Sequence, residues 1–278
     1  MTAAPEWFPF SDRQRNKGFP QAPVISRDDF LAEFKHDYKP GQHLTTIGPT
    51  QRGKSRLTKE MAKRVISPDL KLIALIGKPP NRERTWNEDA AKELNLHMTE
   101  TWPPSLPGTL TEMFRGKGRP KNNNGWLLRP SHTMTDLQAD DLNMFTHFRA
   151  AILEAYGSVK QQYITLIDEA HHVQVDLKLK HEIDAPLMRG APDNGVWQSL
   201  QRGRFVSYQT YCAPEHVLVF KDKNRDNQQR YSEIGGVDSA YMTHLVNNLR
   251  TERVPSGGTI SQAVYFRRAS DDVRIVDT

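Results

Sequence analysis

Apolar and polar positions follow two periods along the chain. His43 to Ile47 is a short β-rich run before Gly48 and predicts a strand. Lys54 to Val65 carries Leu57, Met61 and Val65 at helical spacing, and Pro68 ends the pattern. Leu70 to Ile76, apolar except for Lys71, suits a buried parallel strand. Arg84 to Leu94 predicts a helix, Leu96 to Thr101 a strand closed by Pro103 and Pro104, and Trp126 to Arg129 another strand. Thr135 to Tyr156 predicts a long helix with Leu142, Phe145, Phe148, Ile152 and Tyr156 on one stripe. Tyr163 to Ile167, Arg204 to Tyr211 and Val217 to Phe220 predict further strands, and Ser239 to Glu252 a helix. Gln262 to Arg268 and Val273 to Val276 predict a C-terminal β-hairpin turning at Ser270-Asp271. Strands alternating with helices argue an α/β fold with a mostly parallel central sheet flanked by helices.

The ends of the chain depart from this alternation. Residues 1–40, rich in proline, charge and aromatics, read as an extended N-terminal arm with one short helix over Arg27 to His36. Residues 41–278 then form one domain. It carries an irregular stretch over 103–125, with a short helix near Phe114, and a C-terminal extension over 221–278.

The residue at 48 opens the first chemical signal. Gly48-Pro49-Thr50-Gln51-Arg52-Gly53-Lys54-Ser55 satisfies G-x-x-x-x-G-K-[ST] at every fixed position, between a predicted strand and a predicted helix. The glycines let the backbone curl so that its N–H groups face a phosphate. Lys54 then reaches the β- and γ-phosphates, Ser55 ligates Mg²⁺, and the helix that follows, with Arg56 in its first turn, presents its positive end to the anion. The second signal is Ile164-Thr165-Leu166-Ile167-Asp168-Glu169, two carboxylates at the C-terminal end of a buried strand, where open α/β sheets bind ligands. Asp168 would hold Mg²⁺ through its water shell, and Glu169 would orient and deprotonate the attacking water. His171 and His172 are adjacent and would point apart on a helix, so they read as polar positions beyond the site rather than a metal pair. No Asn-Lys-x-Asp guanine-reading motif is present, which favours ATP over GTP.

Composition adds limits. The 278 residues suffice for a core without staples, and the single cysteine, Cys212, cannot form an intrachain disulfide. No apolar run is long enough to span a bilayer, and Met1 to Phe10 lacks a signal pattern, so the expectation is a cytoplasmic protein with no direct membrane insertion. The net charge of +5 tolerates polyanions. Met113 to Thr135 lacks acidic residues and carries Arg115, Lys117, Arg119, Lys121 and Arg129; its basic part, over about 113–125, could track phosphates without reading bases.

These motifs resemble those of known families. Asp168-Glu169-Ala170-His171 spells the box of DEAH helicases, yet Gln201-Arg202-Gly203-Arg204 follows too soon to leave room for their second motor domain. A fuller resemblance, over residues 40–220, is to the FtsK/HerA superfamily of DNA-pumping ATPases, which includes viral genome-packaging motors. It rests on the loop, on Gly77-Lys78-Pro79 after the second strand, on the acidic box after a long helix, and on Arg202 to Pro214. The last segment is similar to the family's arginine, small residue, arginine, strand and Thr-Gln-x-Pro pattern. Cys212 stands where the family has a glutamine sensing the γ-phosphate, with Gln209 nearby. The resemblance implies a P-loop NTPase of the RecA/ASCE-like kind and a homo-oligomeric ring, usually a hexamer, that hydrolyses ATP with Mg²⁺ and moves double-stranded DNA of any sequence. It also implies that Arg202 or Arg204 completes a neighbour's site. A nucleotide-dependent assembly or switch protein acting on a protein or membrane complex is the other class these motifs allow.

Overall fold

The computed structural model describes residues 6–7, 19–104, 123–133, 135–189, 193–201, 205–253 and 259–278. The chain divides into two compact units, one built from residues 1–38, 43–64 and 199–278 and the other from 39–42 and 65–198. Along the chain, β1 (Glu6–Trp7), β2 (Pro23–Ile25), α1 (Arg27–Asp37), β3 (Leu44–Ile47) and α2 (Lys54–Val65) come first. Next are β4 (Leu70–Leu75), α3 (Glu88–Leu94), β5 (His97–Thr99), β6 (Gly125–Leu128), α4 (Leu137–Gly157), β7 (Gln162–Ile167), α5 (Lys180–Arg189) and β8 (Asn194–Leu200). The chain ends with β9 (His216–Phe220), α6 (Ser239–Asn248), β10 (Thr251–Arg253), β11 (Thr259–Arg267) and β12 (Asp272–Asp277).

In the first unit the strands lie in the order β1-β2-β12-β11-β9-β3, with β10 beside β11. The β3/β9 and β2/β12 ladders are parallel, and the others antiparallel. The expected hairpin is β11 and β12, closed by Asp271 in the left-handed region at φ 49°. Ser26 caps α1, its hydroxyl accepting the Asp29 N–H at 3.2 Å, and Asp28 and Asp29 lie at the positive end of the helix. The buried face of α1 sets Phe30 edge-on to Tyr265 at 4.9 Å and Phe34 edge-on to His216 at 5.2 Å.

The second unit orders its strands β8-β7-β4-β6-β5, every neighbour parallel. Asp136 starts α4 by accepting the N–H groups of Gln138 and Ala139. The buried stripe of α4 is Met144, Phe148, Ala151, Ile152 and Ala155, whereas Leu142 is 65% exposed. At 100° per residue Leu142 stands about 200° from Met144, so the expected stripe was right at Phe148 and Ile152 and rotated away at its start.

Three further expectations change. Arg204 to Tyr211 forms no strand in its described part: Ser207 accepts the Gln209 N–H at 3.1 Å and starts a short helix, Gln209–Cys212. Its β-branched and aromatic residues serve tertiary contacts instead. Thr210 offers its carbonyl to the Thr45 hydroxyl at 2.8 Å, and Arg230 sits 4.6 Å over the buried Tyr211 ring. The strand is β8, buried along its whole length but broken in pattern by Asn194, Gly195, Gln198 and Ser199. Two of these polar side chains bond across the unit: Asn194 accepts the Tyr163 N–H at 2.7 Å and donates to the Ala155 carbonyl at 2.6 Å, and Gln198 accepts from Gln174 at 2.7 Å. The expected Ser239 to Glu252 helix stops at Asn248, because Thr251–Arg253 pairs with Thr259–Ser261. Arg84 to Leu94 starts as helix only at Glu88, behind the Asn87 cap, and the short helix near Phe114 lies outside the described residues.

Two predictions follow from these cores. Phe148→Ala should destabilise the second unit by about 3–5 kcal/mol in urea unfolding, while Leu142→Ala should stay within about 0.5 kcal/mol. His216 accepts or donates a 2.8 Å bond with the Tyr265 hydroxyl, and burial, with Arg267 nearby, pushes its pKa down to about 4. Its folded value lies below its unfolded one, so the unfolded chain takes up the proton first and stability falls as pH drops from about 6.5 towards 4. His216→Gln should flatten that slope, which amounts to on the order of 3 kcal/mol across the window, in thermal melts recorded between these pH values.

Candidate active site

The loop at 48–55 grows out of the first unit's sheet. Strand β3, buried at every position, runs parallel to β9 with Ile47 opposite Val219. At its end the Gly48 N–H donates to the Leu200 carbonyl at 3.0 Å. Gly48 has φ 149°, and a Cβ there would lie 2.7 Å from the Phe220 Cβ. Gln51 and Gly53 follow at φ 59° and 90°, so the chain curls back on itself before α2 begins at Lys54. That curl is the loop geometry expected of a phosphate cradle. No acidic residue occupies the first turn of α2, which leaves its positive end to an anion. Lys54 is 5% exposed and donates to the Pro49 carbonyl at 2.7 Å, folded over the loop it serves. Ser55 is half-buried beside it, while Arg56 points to Glu60 at 3.3 Å. Glu60 also takes Arg27 at 3.4 Å.

The acidic pair belongs to the second unit. Leu75 and Ile167 are opposite each other at the ends of β4 and β7, so Gly77-Lys78 and Asp168-Glu169 leave the sheet side by side. The Asp168 N–H bonds the Leu75 carbonyl at 3.4 Å, and its side chain is 2% exposed. Lys78 meets that carboxylate with Nζ 2.6 Å from Oδ2, and stands 3.6 Å from Oε2 of the buried Glu83. Burial alone would push the Lys78 ammonium down, but Asp168, Glu83 and Glu169 together outweigh it and raise its pKa. Glu169 is half-buried next to Asp168. Past it a π-helical turn, His172–Asp176, places His172 Nδ1 3.0 Å from Asp176 and Nε2 3.8 Å from Asp141. Lys78 and Glu83 were not singled out as site residues by sequence reasoning. The signal was available in a lysine followed by proline at the end of a buried strand.

The other expected residues fall as follows. Cys212 and Gln209 touch, the thiol donating to Oε1 at 3.3 Å, with burial pushing the thiol's pKa up. Arg202 and Arg204 lie outside the described residues, as does most of the basic stretch over 113–125. Arg129 is buried and donates to the Trp86 carbonyl. Among the described residues no group of three or more His, Cys, Asp or Glu side chains could hold a metal, and no helix is long and apolar enough to cross a membrane.

Neither a protein-family model nor a curated protein sequence matches the chain. Solved structures do. The DNA-packaging ATPase B204 from Sulfolobus turreted icosahedral virus is similar over 86% of this chain and 98% of its own, with a TM-score of 0.53 at 16% identity. The genome-packaging NTPase B204 from Sulfolobus turreted icosahedral virus 2, in complex with ATP-gammaS, covers 86% and 98% with a TM-score of 0.51 at 11% identity. Its complex with AMPPCP covers 85% and 97% with a TM-score of 0.50 at 12% identity. The chain has the P-loop ATPase fold. A likeness at this identity is one of backbone arrangement, so the role of each side chain has to be argued from its own surroundings.

Gly48 gives the direct test of the loop. Gly48→Ala forces an L side chain into a positive φ and against Phe220. The strain, on the order of 1–3 kcal/mol, should lower the melting temperature and weaken pyrophosphate binding at least about tenfold by calorimetry.

Proposed function

We propose that this protein is an ATP-hydrolysing motor that translocates double-stranded DNA, as in genome packaging or DNA transfer, and works as a homo-oligomeric ring, a hexamer, in the cytoplasm. The observation that carries the reading is the curled loop at 48–55, with its lysine and helix N-terminus, set in a chain whose fold matches that of B204 over 86% of its length. Residues 48–55 cradle the triphosphate through their backbone N–H groups, and Lys54 exchanges the Pro49 carbonyl for phosphate oxygens. Arg56, in the first turn of α2, is a further candidate contact to the nucleotide. Glu169 orients the attacking water and accepts its proton.

The residues fit Mg²⁺. Asp168 is a buried hard-oxygen acceptor that already holds a cationic group at 2.6 Å, and Ser55, by its place in the loop motif, is the candidate for a hydroxyl ligand. A single carboxylate with a hydroxyl, phosphates and water is the usual donor set for this ion. When bound, it neutralises charge on the β- and γ-phosphates. Arg202 and Arg204 are the candidates for completing a neighbour's site, and the basic stretch around Arg115 to Lys121 is the candidate for tracking DNA phosphates; both rest on the sequence pattern.

Duplex DNA should raise the steady-state ATPase rate several-fold. Lys54→Ala should abolish turnover and nucleotide binding, and Glu169→Gln should keep binding while reducing turnover by on the order of 10²-fold or more. An ATPase indifferent to DNA would instead identify an assembly or switch protein.

A further inference from the structure

We propose that the Lys78 ammonium is an exchangeable counter-ion of Asp168, neutralising that carboxylate in the metal-free protein and withdrawing to Glu83 when Asp168 is engaged by a divalent cation. The inference rests on the reading of Asp168 as a metal-binding residue and adds a residue that the motifs do not assign.

The geometry provides a start, an end and a fixed frame. The start is the 2.6 Å bond from Lys78 Nζ to Asp168 Oδ2. The end is Glu83 Oε2, 3.6 Å from the same nitrogen, near enough for attraction but beyond a hydrogen bond. Glu83 is itself immobilised, because its Oε1 accepts the N–H groups of Thr85 at 2.6 Å and Trp86 at 2.8 Å, and its side chain is 3% exposed. The backbone behind Lys78 is anchored as well. His132 Nε2 lies 2.9 Å from the Gly77 carbonyl, and the Pro79 carbonyl accepts the N–H groups of Arg82 and Glu83 at 3.0 and 3.2 Å. Only the lysine side chain, 32% exposed, has to move, and its shift between the two carboxylates is short.

Electrostatics supplies both halves of the exchange. A carboxylate as buried as Asp168 is costly without a cation in contact, so the metal-free protein needs a resident one. An ammonium bonded to Asp168 repels a divalent cation approaching the same oxygens, and the repulsion is strong in a poorly solvated site. A second buried carboxylate within reach removes the cost of letting go. A fixed structural ion pair would need Asp168 alone; the poised Glu83 oxygen is what the exchange requires.

Mn²⁺ titration by electron paramagnetic resonance, with full-length protein and a non-hydrolysable ATP analogue, tests this. Wild-type binding should be lost in Asp168→Asn. Lys78→Met should bind Mn²⁺ on the order of tenfold more tightly, because the competing charge is gone. Glu83→Gln, which keeps the acceptor for Thr85 and Trp86, should bind it several-fold more weakly, because Lys78 loses its alternative partner. If Lys78→Met proves too unstable to purify, Glu83→Gln alone decides. Mn²⁺ binding that ignores Asp168→Asn would overturn the metal role of Asp168 and the parent reading with it. Binding that depends on Asp168 but is unchanged in Glu83→Gln would overturn the exchange and leave the parent reading intact.

Discussion

Asp168 carries a carboxylate to the end of a parallel strand where almost none of its side chain reaches solvent. Such a charge persists only when it is answered at bonding distance. The in-register ladder of β4 and β7 makes the answer possible, because it delivers Lys78 and Asp168 from adjacent strand ends. Around that pair the second unit supplies Glu83, locked by two backbone donors, and His132 behind the Gly77 carbonyl. The cluster therefore sets one ammonium between two buried carboxylates, and Lys78 is the cation they share.

The loop in the first unit obeys a steric constraint instead. The β3/β9 ladder brings Phe220 so close to the strand end that only a residue without a Cβ fits at Gly48. The chain then takes left-handed backbone at Gln51 and Gly53, and Lys54 folds onto the Pro49 carbonyl of its own loop. A lysine parked in this way gives up a neutral acceptor when an anion arrives, a modest loss compared with the charge-assisted bonds it gains. The likeness to B204 at 16% identity fits this picture: a backbone arrangement can persist while most of the side chains that clothe it differ.

Much of this was legible beforehand where one physical signal dominated. A helix as amphipathic as α2, and runs as apolar as Leu70 to Leu75 or Tyr163 to Ile167, have one way to hide their surface, and their limits agree with the structure to within a residue or so. Strand β8 was hidden because polar residues interrupt its apolar run, and two of them, Asn194 and Gln198, bond to partners far away in sequence, among them Ala155 and Gln174. The segment from Phe205 to Tyr211 misled in the opposite sense. Its residues favour strands, but Ser207 starts a turn and Tyr211 is claimed by Arg230.

The order of residues alone determined the glycine-bearing loop between β3 and α2, the acidic pair after β7 and the α/β alternation, because each depends on spacing within a few positions of the chain. Only the tertiary structure decided that Lys78 answers Asp168, ninety positions apart, that Glu83 waits as a second carboxylate, and that Gly48 is confined by Phe220. The reason is that strand register, which sets those neighbours, is a property of the assembled sheet and leaves no local trace in the chain.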